Sequence, residues 1–350
     1  MRKKVYKMKL IVVAFAVAFM LSFLFTPYAR KLAFKLDVLD YPKDPRKLHK
    51  KPIPYLGGAA IYASTIICML LFTEIDRMSI SIIAGGTIIF FTGLVDDIKD
   101  ISAKWKMAAQ IVAALIALYG GVKIQWISNP FPTSEFVYLV NLSIPATLFW
   151  IVGITNTINL IDGIDGLASG VAAIAATTLM VISAINGFYF IVIECAIIAG
   201  ASLGFLPFNF NPAKIFMGDT GALFLGYMLA VLSITGVMKT VTAVTIVVMV
   251  FVLGIPIFDT SFAIVRRMIN KKPIMEADKG HVHHRLLDIG FSQKETVLIL
   301  YVISIAFGAA AIFIADSEPV AGTVVVAVAA GLIVLAGGKI GLLEGDKKKI

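Results

Sequence analysis

Long apolar runs separated by short polar connections fill most of this chain, and their length predicts helices that cross a bilayer. A spanning helix needs about 20 mostly apolar residues. By that measure the pattern predicts eleven spans, near residues 8–27, 55–73, 79–95, 107–120, 142–160, 167–185, 188–206, 221–237, 240–265, 297–315 and 320–337, with the fourth the weakest. No internal repeat and no low-complexity linker interrupts the series. The expected fold is therefore all-α: a polytopic integral membrane protein with about eleven transmembrane helices, one domain over residues 1–350, and a motif-bearing core at 40–290.

Composition supports the pattern. The chain is 59% hydrophobic and 15% charged, with a mean hydropathy of +0.91, more apolar surface than a water-soluble protein can hide. Cys68 and Cys195 both lie in apolar runs and read as small buried hydrophobes rather than a disulfide or zinc site. The first run follows Met1-Arg-Lys-Lys as a signal peptide would. Thr26-Pro27-Tyr28 is a poor small-residue cleavage site, so a retained helix is expected.

Charge orients the bundle. The loops at 29–54, 96–106, 159–166, 207–220, 266–296 and 338–350 share one side and carry 23 of the 31 lysines and arginines, which makes that side cytoplasmic. Five of the other eight sit in the N-terminal tail and pull the opposite way, but the eight basic residues of the first loop outweigh them. All four histidines and the polar clusters described next fall on the basic side.

The densest of these clusters runs from Asn156 to Gly170, with Asn156, Asn159, Asp162 and Asp165 between two apolar runs. An Asp at the centre of a spanning helix costs roughly 2.5–3.5 kcal/mol on insertion scales, so such residues face water, a cavity or a ligand. Asn156 and Asn159 share a helix face, and Gly163 and Gly166 suit a broken helix that lets backbone approach a ligand. A polar site at the inner mouth of the bundle follows.

Four further stretches carry candidate chemistry. The loop Asp40–Gly58 holds four prolines and the cations Arg46, Lys47, His49, Lys50 and Lys51 ahead of Gly57-Gly58, a plausible phosphate site at a helix start; plain positive-inside topology explains the cations equally well. Asp96-Asp97 are adjacent carboxylates with Asp100, Lys104 and Lys106 behind them, suited to proton abstraction or to a divalent ion. Asp219 stands between glycines where a helix starts, either as an N-cap or as a hard oxygen ligand for Mg²⁺, and Phe216 before it could stack on a base. His281-Val-His283-His284-Arg285 lacks cysteine partners and HExxH spacing, which favours hydrogen bonds to sugar or phosphate over metal. Glu194 lies within an apolar run close to its outer end, within reach of water, and Asp259 reads as pairing inside the bundle.

Taken in order, these pieces resemble the polyprenyl-phosphate N-acetylhexosamine-1-phosphate transferases, of glycosyltransferase family 4. The matching pieces are Arg46-Lys-Leu-His-Lys-Lys-Pro-Ile-Pro with Gly57-Gly58, Asp96-Asp-Ile-Lys-Asp100, Asn156-Thr-Ile-Asn-Leu-Ile-Asp-Gly-Ile-Asp-Gly-Leu167, Phe216-Met-Gly-Asp-Thr-Gly221 and His281-Val-His-His-Arg285. Asp100 and the His-Val-His-His-Arg order are similar to the branch that uses UDP-N-acetylglucosamine, rather than the phospho-N-acetylmuramoyl-pentapeptide branch. Tyr55 departs from the Arg or Met common at its position.

The resemblance implies transfer of N-acetylglucosamine 1-phosphate from UDP-N-acetylglucosamine to undecaprenyl phosphate in the inner leaflet of the bacterial inner membrane, releasing UMP, as the first membrane step of a cell-envelope glycan. It implies Mg²⁺, with Mn²⁺ as a substitute, on Asp219 with Asn159 second. Asp97 or Asp96 would deprotonate or orient the attacking phosphate while Lys106 balances charge. Phe216 and Asp165 would hold uracil, His283, His284 and Arg285 would lie over the sugar and diphosphate, and Lys50, Lys51, Asn156, Asp162 and His281 complete the expected substrate contacts. A homodimer is an expected partner state and nucleic acid is not. The competing readings are the muramoyl-pentapeptide branch and a secondary transporter with Asp96, Asp162 and Glu194 in an ion path. Transporter sites lie near the midplane of inverted repeats, and these acids crowd one face.

Overall fold

The computed structural model describes residues 2–42, 52–128, 136–237, 245–269 and 281–317, with 324, 325, 327, 328 and 331 beyond them. The described residues form α1 (Arg2–Lys35), β1 (Leu39–Asp40), β2 (Ile53–Pro54), α2 (Gly57–Phe72), α3 (Arg77–Lys99), α4 (Ala103–Tyr119), β3 (Trp126–Ser128), β4 (Phe136–Tyr138), α5 (Ser143–Ile161), α6 (Leu167–Ile185), α7 (Tyr189–Asn209), α8 (Gly218–Val237), α9 (Thr245–Val252), α10 (Gly254–Ile269), α11 (Val282–Ile289) and α12 (Gln293–Asp316). Two antiparallel pairs, β1 with β2 and β3 with β4, are the strands among these residues.

The chain is an all-α, multi-pass membrane protein. Seven helices, α1, α3, α5, α6, α7, α8 and α12, are long and apolar enough to cross a bilayer, and they match seven of the expected spans. The expected spans at 55–73 and 107–120 form the shorter helices α2 and α4, of 16 and 17 residues. The expected single span at 240–265 is instead divided: α9 ends at Val252 and α10 begins at Gly254. Pro256 accounts for the break, since it offers no N–H to the carbonyl of Val252. The last expected span, 320–337, lies almost entirely outside the described residues, as do Lys50, Lys51 and the cations around them.

Helix α8 is the axis of the bundle: every residue of it except Asp219 is buried. Bare backbone surfaces let its neighbours approach. A Cβ on Gly58 of α2 would fall 2.1 Å from the Gly221 nitrogen, and one on Gly93 of α3 would fall 2.5 Å from the Asp219 carbonyl oxygen. Gly200 and Gly204 serve the same purpose on the other side of the bundle. They meet the Phe15 and Phe19 carbonyls of α1, so this Gly-x-x-x-Gly pair is consumed by packing within the chain.

Contacts along α1 and α7 show that these two helices run parallel. Lys7 lies over the Tyr189 ring at 4.3 Å, and at the other end Arg30 Nε donates to the Lys214 carbonyl at 3.1 Å. Arg77 and Tyr119, paired through a ring contact of 4.1 Å, close the end opposite Asp96 on α3. Glu194, expected to reach water, is fully buried because α7 is enclosed by α1, α6 and α8.

The glycine packing yields a paired expectation. Gly93→Ala should lower stability by roughly 1–3 kcal/mol, as overpacking does, while Gly153→Ala, with nothing within 4 Å of the added carbon, should be neutral. Thermal unfolding of the detergent-solubilised variants checks both.

Candidate active site

At one mouth of the bundle the C-terminal ends of α3 and α5 meet the N-terminal ends of α4, α6 and α8, and this convergence assembles the polar residues that the sequence scatters. Asp219 is its centre. Its Oδ1 accepts from Asn159 Nδ2 at 2.9 Å and its Oδ2 from Lys106 Nζ at 2.9 Å. Lys106 also binds Asp96 Oδ2 at 2.6 Å, and Asp96 Oδ1 accepts from the Ile101 nitrogen at 3.0 Å, which ties the α3–α4 turn to the site. Lys106 thus stands between two carboxylates from different helices.

Asp97 is engaged differently from its neighbour. Its Oδ1 accepts from the Asp219 nitrogen at 2.9 Å, and its Oδ2 accepts from the Thr220 nitrogen at 3.0 Å and from the Thr220 hydroxyl. The first N–H groups of a helix have no partner within it. Here α3 supplies their acceptor, so Asp97 fixes the start of α8 and with it the backbone that carries Asp219.

One helical turn deeper, Asn156 and Gln110 form a reciprocal amide pair at 2.6 and 3.2 Å, and Asn156 also donates to the Val152 carbonyl at 2.8 Å. Gln110 follows Lys106 by four residues on α4, as Asn156 precedes Asn159 by three on α5. The pair is therefore a rung that sets the register of the two helices below the site. Gln110 was not singled out in the sequence; a lone buried amide in the weakest apolar run was the available signal.

The turn from Asp162 to Gly166 links α5 to α6. Asp165 Oδ2 accepts from Asn211 Nδ2 at 3.0 Å and from the Ala213 nitrogen at 2.9 Å, so this carboxylate fastens the turn to the connection before α8. Asn209, buried and also unanticipated, reinforces the link. Its Oδ1 accepts from the Gly166 nitrogen and the Ser169 hydroxyl, both at 3.1 Å, and its Nδ2 donates to the Ile215 carbonyl. Gly166 has φ of +83°, a conformation that favours glycine. Loss of hydration pushes the pKa of Asp162 up to about 8, helped by the carboxylates of Asp219, Asp97 and Asp165.

Phe216 is half-buried beside Tyr55, with ring centroids 5.7 Å apart. Backbone bonds lock the two segments together: Phe216 N donates to the Pro54 carbonyl at 2.8 Å, Gly57 N to the Phe216 carbonyl at 3.0 Å and Gly58 N to the Met217 carbonyl at 2.9 Å. The Tyr55 phenol is raised above its ordinary pKa, by burial first and then by Asp40, to which it hydrogen-bonds.

The histidines sit across the Asp162 turn. His281 and His283 are buried and stack in parallel at 5.7 Å, and the His283 and His284 rings are 4.3 Å apart. A Cβ on Gly163 would lie 2.6 Å from His283 Nε2, so the glycine is what allows the imidazole edge to reach this turn. Arg285, on the first turn of the same short helix, follows them.

An all-α membrane bundle with crowded carboxylates, a bridging lysine and a histidine segment at one mouth defines an integral membrane protein with a polar site at one end of its helices. Comparison with known proteins narrows that class. The family model described as glycosyl transferase family 4 matches residues 79–237. A Bacillus subtilis (strain 168) protein named probable undecaprenyl-phosphate N-acetylglucosaminyl 1-phosphate transferase is 42% identical over 305 residues, covering 86% of this chain and 84% of the relative. A Mycolicibacterium smegmatis decaprenyl-phosphate N-acetylglucosaminephosphotransferase is 34% identical, covering 91% and 86%. A Bacillus cytotoxicus phospho-N-acetylmuramoyl-pentapeptide-transferase is 30% identical, covering 86% and 95%. The chain belongs to glycosyl transferase family 4.

Burial pushes the pKa of His283 down to about 3, with His284 adding to the effect. His283 should therefore stay neutral from pH 5 to 8, and a His283 imidazole NMR signal that titrates near 6.5 would contradict the burial. The sign for stability follows from linkage. Between about 3 and 6.5 the unfolded chain binds a proton at His283 that the folded chain refuses, so this residue's contribution to stability falls as pH drops through that window.

Proposed function

We propose that this chain transfers N-acetylglucosamine 1-phosphate from UDP-N-acetylglucosamine to undecaprenyl phosphate, releasing UMP, at the cytoplasmic face of the bacterial inner membrane. The observation that carries the reading is Asp219, held at the start of α8 between Asn159 and Lys106 with Asp96 beyond. The relatives agree in kind: the 42% and 34% identical proteins are named for N-acetylglucosamine 1-phosphate transfer, against 30% for the muramoyl-pentapeptide enzyme. Asp100 and the His-Val-His-His-Arg order favour the same branch.

The residues fit a divalent cation. Asp219, Asn159 and Asp96 are hard oxygen donors. Among the described residues there is no group of three or more His, Cys, Asp or Glu that would hold an ion by itself. Mg²⁺ takes one or two protein carboxylates and completes its shell with phosphate oxygens and water, a demand that Asp219 and Asp96 could meet. In this reading Asp219 and Asn159 hold the ion, and Mn²⁺ substitutes for it. When bound, the ion neutralises the diphosphate and the departing UMP as a Lewis acid.

The rest of the chemistry falls to the chain. The lipid phosphate has a second pKa near 6 and is largely dianionic at neutral pH. Its oxygen attacks the β-phosphorus of the donor; one P–O bond forms, the bond to UMP breaks, and the proton count is unchanged. Direct attack is favoured over a covalent aspartyl intermediate because both Asp97 oxygens are engaged by the α8 start. Asp97 therefore positions Asp219, and Asp96 with Lys106 steers the attacking phosphate. Lys106, poised between two carboxylates, balances the charge that shifts toward the leaving group. Phe216 offers uracil an aromatic face, with Asp165 shaping the loop beside it. Asp162, His283, His284 and Arg285 contact the sugar and diphosphate.

UMP release by the purified protein should require UDP-N-acetylglucosamine, undecaprenyl phosphate and Mg²⁺ together; release only with the UDP-muramoyl-pentapeptide would reverse the branch assignment. Asp219→Asn should abolish turnover while the protein still inserts, and wild-type turnover by that variant would sink the metal assignment. His284→Ala should raise the KM for the sugar nucleotide more than that for the lipid.

A further inference from the structure

Asp259 lies on α10, 22 residues before the histidine segment, and the sequence suggests for it only a partner inside the bundle. The structure ties it to the histidines. Its Oδ2 meets His281 Nδ1 at 3.0 Å, and its Oδ1 accepts from the Val282 nitrogen at 2.8 Å. Asp259 is 3% exposed and His281 5%, so both bonds form out of water, where an unmatched partner is costly.

These two bonds define how α11 begins. His281 is the N-cap residue of α11, yet its own side chain makes no capping bond. The cap comes instead from α10, through the Asp259 carboxylate. The same carboxylate requires the Nδ1 atom of His281 to carry a proton, which fixes the ring's orientation. The parallel His281 ring then supports His283, and the buried Nε2 of His283 faces Gly163, with no hydrogen-bond partner among the described residues.

We propose that Asp259 is a positioning residue for the donor site: by capping α11 and orienting His281, it sets where the His283 imidazole meets the turn that carries Asp162 and Asp165. The inference rests on the reading that the histidine segment contacts the sugar nucleotide.

The test uses full-length protein in lipid nanodiscs, with Asp259→Asn and Asp259→Ala. Asn keeps the shape of the side chain but presents an N–H₂ to one of the two donors. The KM for UDP-N-acetylglucosamine should rise about tenfold in Asp259→Asn, the scale of one lost hydrogen bond, and further in Asp259→Ala. The KM for undecaprenyl phosphate should stay within about twofold, since the α3, α4 and α8 contacts are untouched. The nitrogen NMR signals of His281 should lose the Nδ1-protonated form, a change that mere loosening of the bundle would not single out. An unchanged donor KM, or equal increases in both KM values, overturns the proposal. If Asp259→Asn does not fold, His281→Gln carries the same comparison; if neither folds, Asp259 is a structural residue and the proposal fails. Wild-type protein that releases no UMP would overturn the functional reading itself, whereas an active wild type with an unaffected Asp259→Asn overturns only this inference.

Discussion

The start of α8 is the constraint on which the site depends. A helix buried along its whole length must still satisfy its first N–H groups, and here the carboxylate of Asp97 does so from α3. The demand is mutual. Asp97 gains donors it would otherwise lack at the end of an apolar helix, and α8 gains a fixed starting point. Because Asp219 is the second residue of α8, the bond that satisfies the helix also positions the carboxylate at the centre of the site. The glycines at 58, 93 and 221 make the arrangement sterically possible, by letting α2 and α3 lie against α8 backbone to backbone.

A second carboxylate repeats this device at the other wall of the site. Asp259 caps α11 from α10 much as Asp97 caps α8 from α3. In both cases an acid on one helix satisfies backbone N–H groups at the start of another, and a residue with an expected role in the site lies in that first turn. Such trans-capping couples helix packing to site geometry. A shift of α3 against α8, or of α10 against α11, would move the polar groups with it.

Electrostatics completes the picture. Asp96, Asp97, Asp162 and Asp219 crowd together, and Lys106 is hydrogen-bonded to two of them. Under the proposed reaction, a diphosphate and a lipid phosphate beside the carboxylates that share Lys106 would need added positive charge, which is the physical reason the proposal includes a divalent cation. The Lys106 ammonium thereby ties the carboxylates of two helices, α3 and α8, to α4.

The sequence by itself determined the seven long apolar helices and the polar residues that gather at one end of them. Apolar length marks the spans because an unsatisfied backbone cannot lie in lipid. The cost of placing acids and amides beside such spans made Asn159, Asp162 and Asp219 conspicuous as site candidates. Pro256 lies within the expected single span at 240–265, but whether a proline bends a span or divides it depends on neighbours that the sequence does not show. What each polar group does was decided only by the tertiary structure. Adjacent Asp96 and Asp97 look equivalent in sequence, yet one binds Lys106 and the other caps α8. Asn156 pairs with Gln110, Asp165 is spent on the loop before α8, and Asn209 and Asp259 join the site from other elements. The reason is physical: a hydrogen bond depends on the relative placement of two groups within about 3 Å, and for groups on different helices that placement is fixed by packing, which no local pattern encodes.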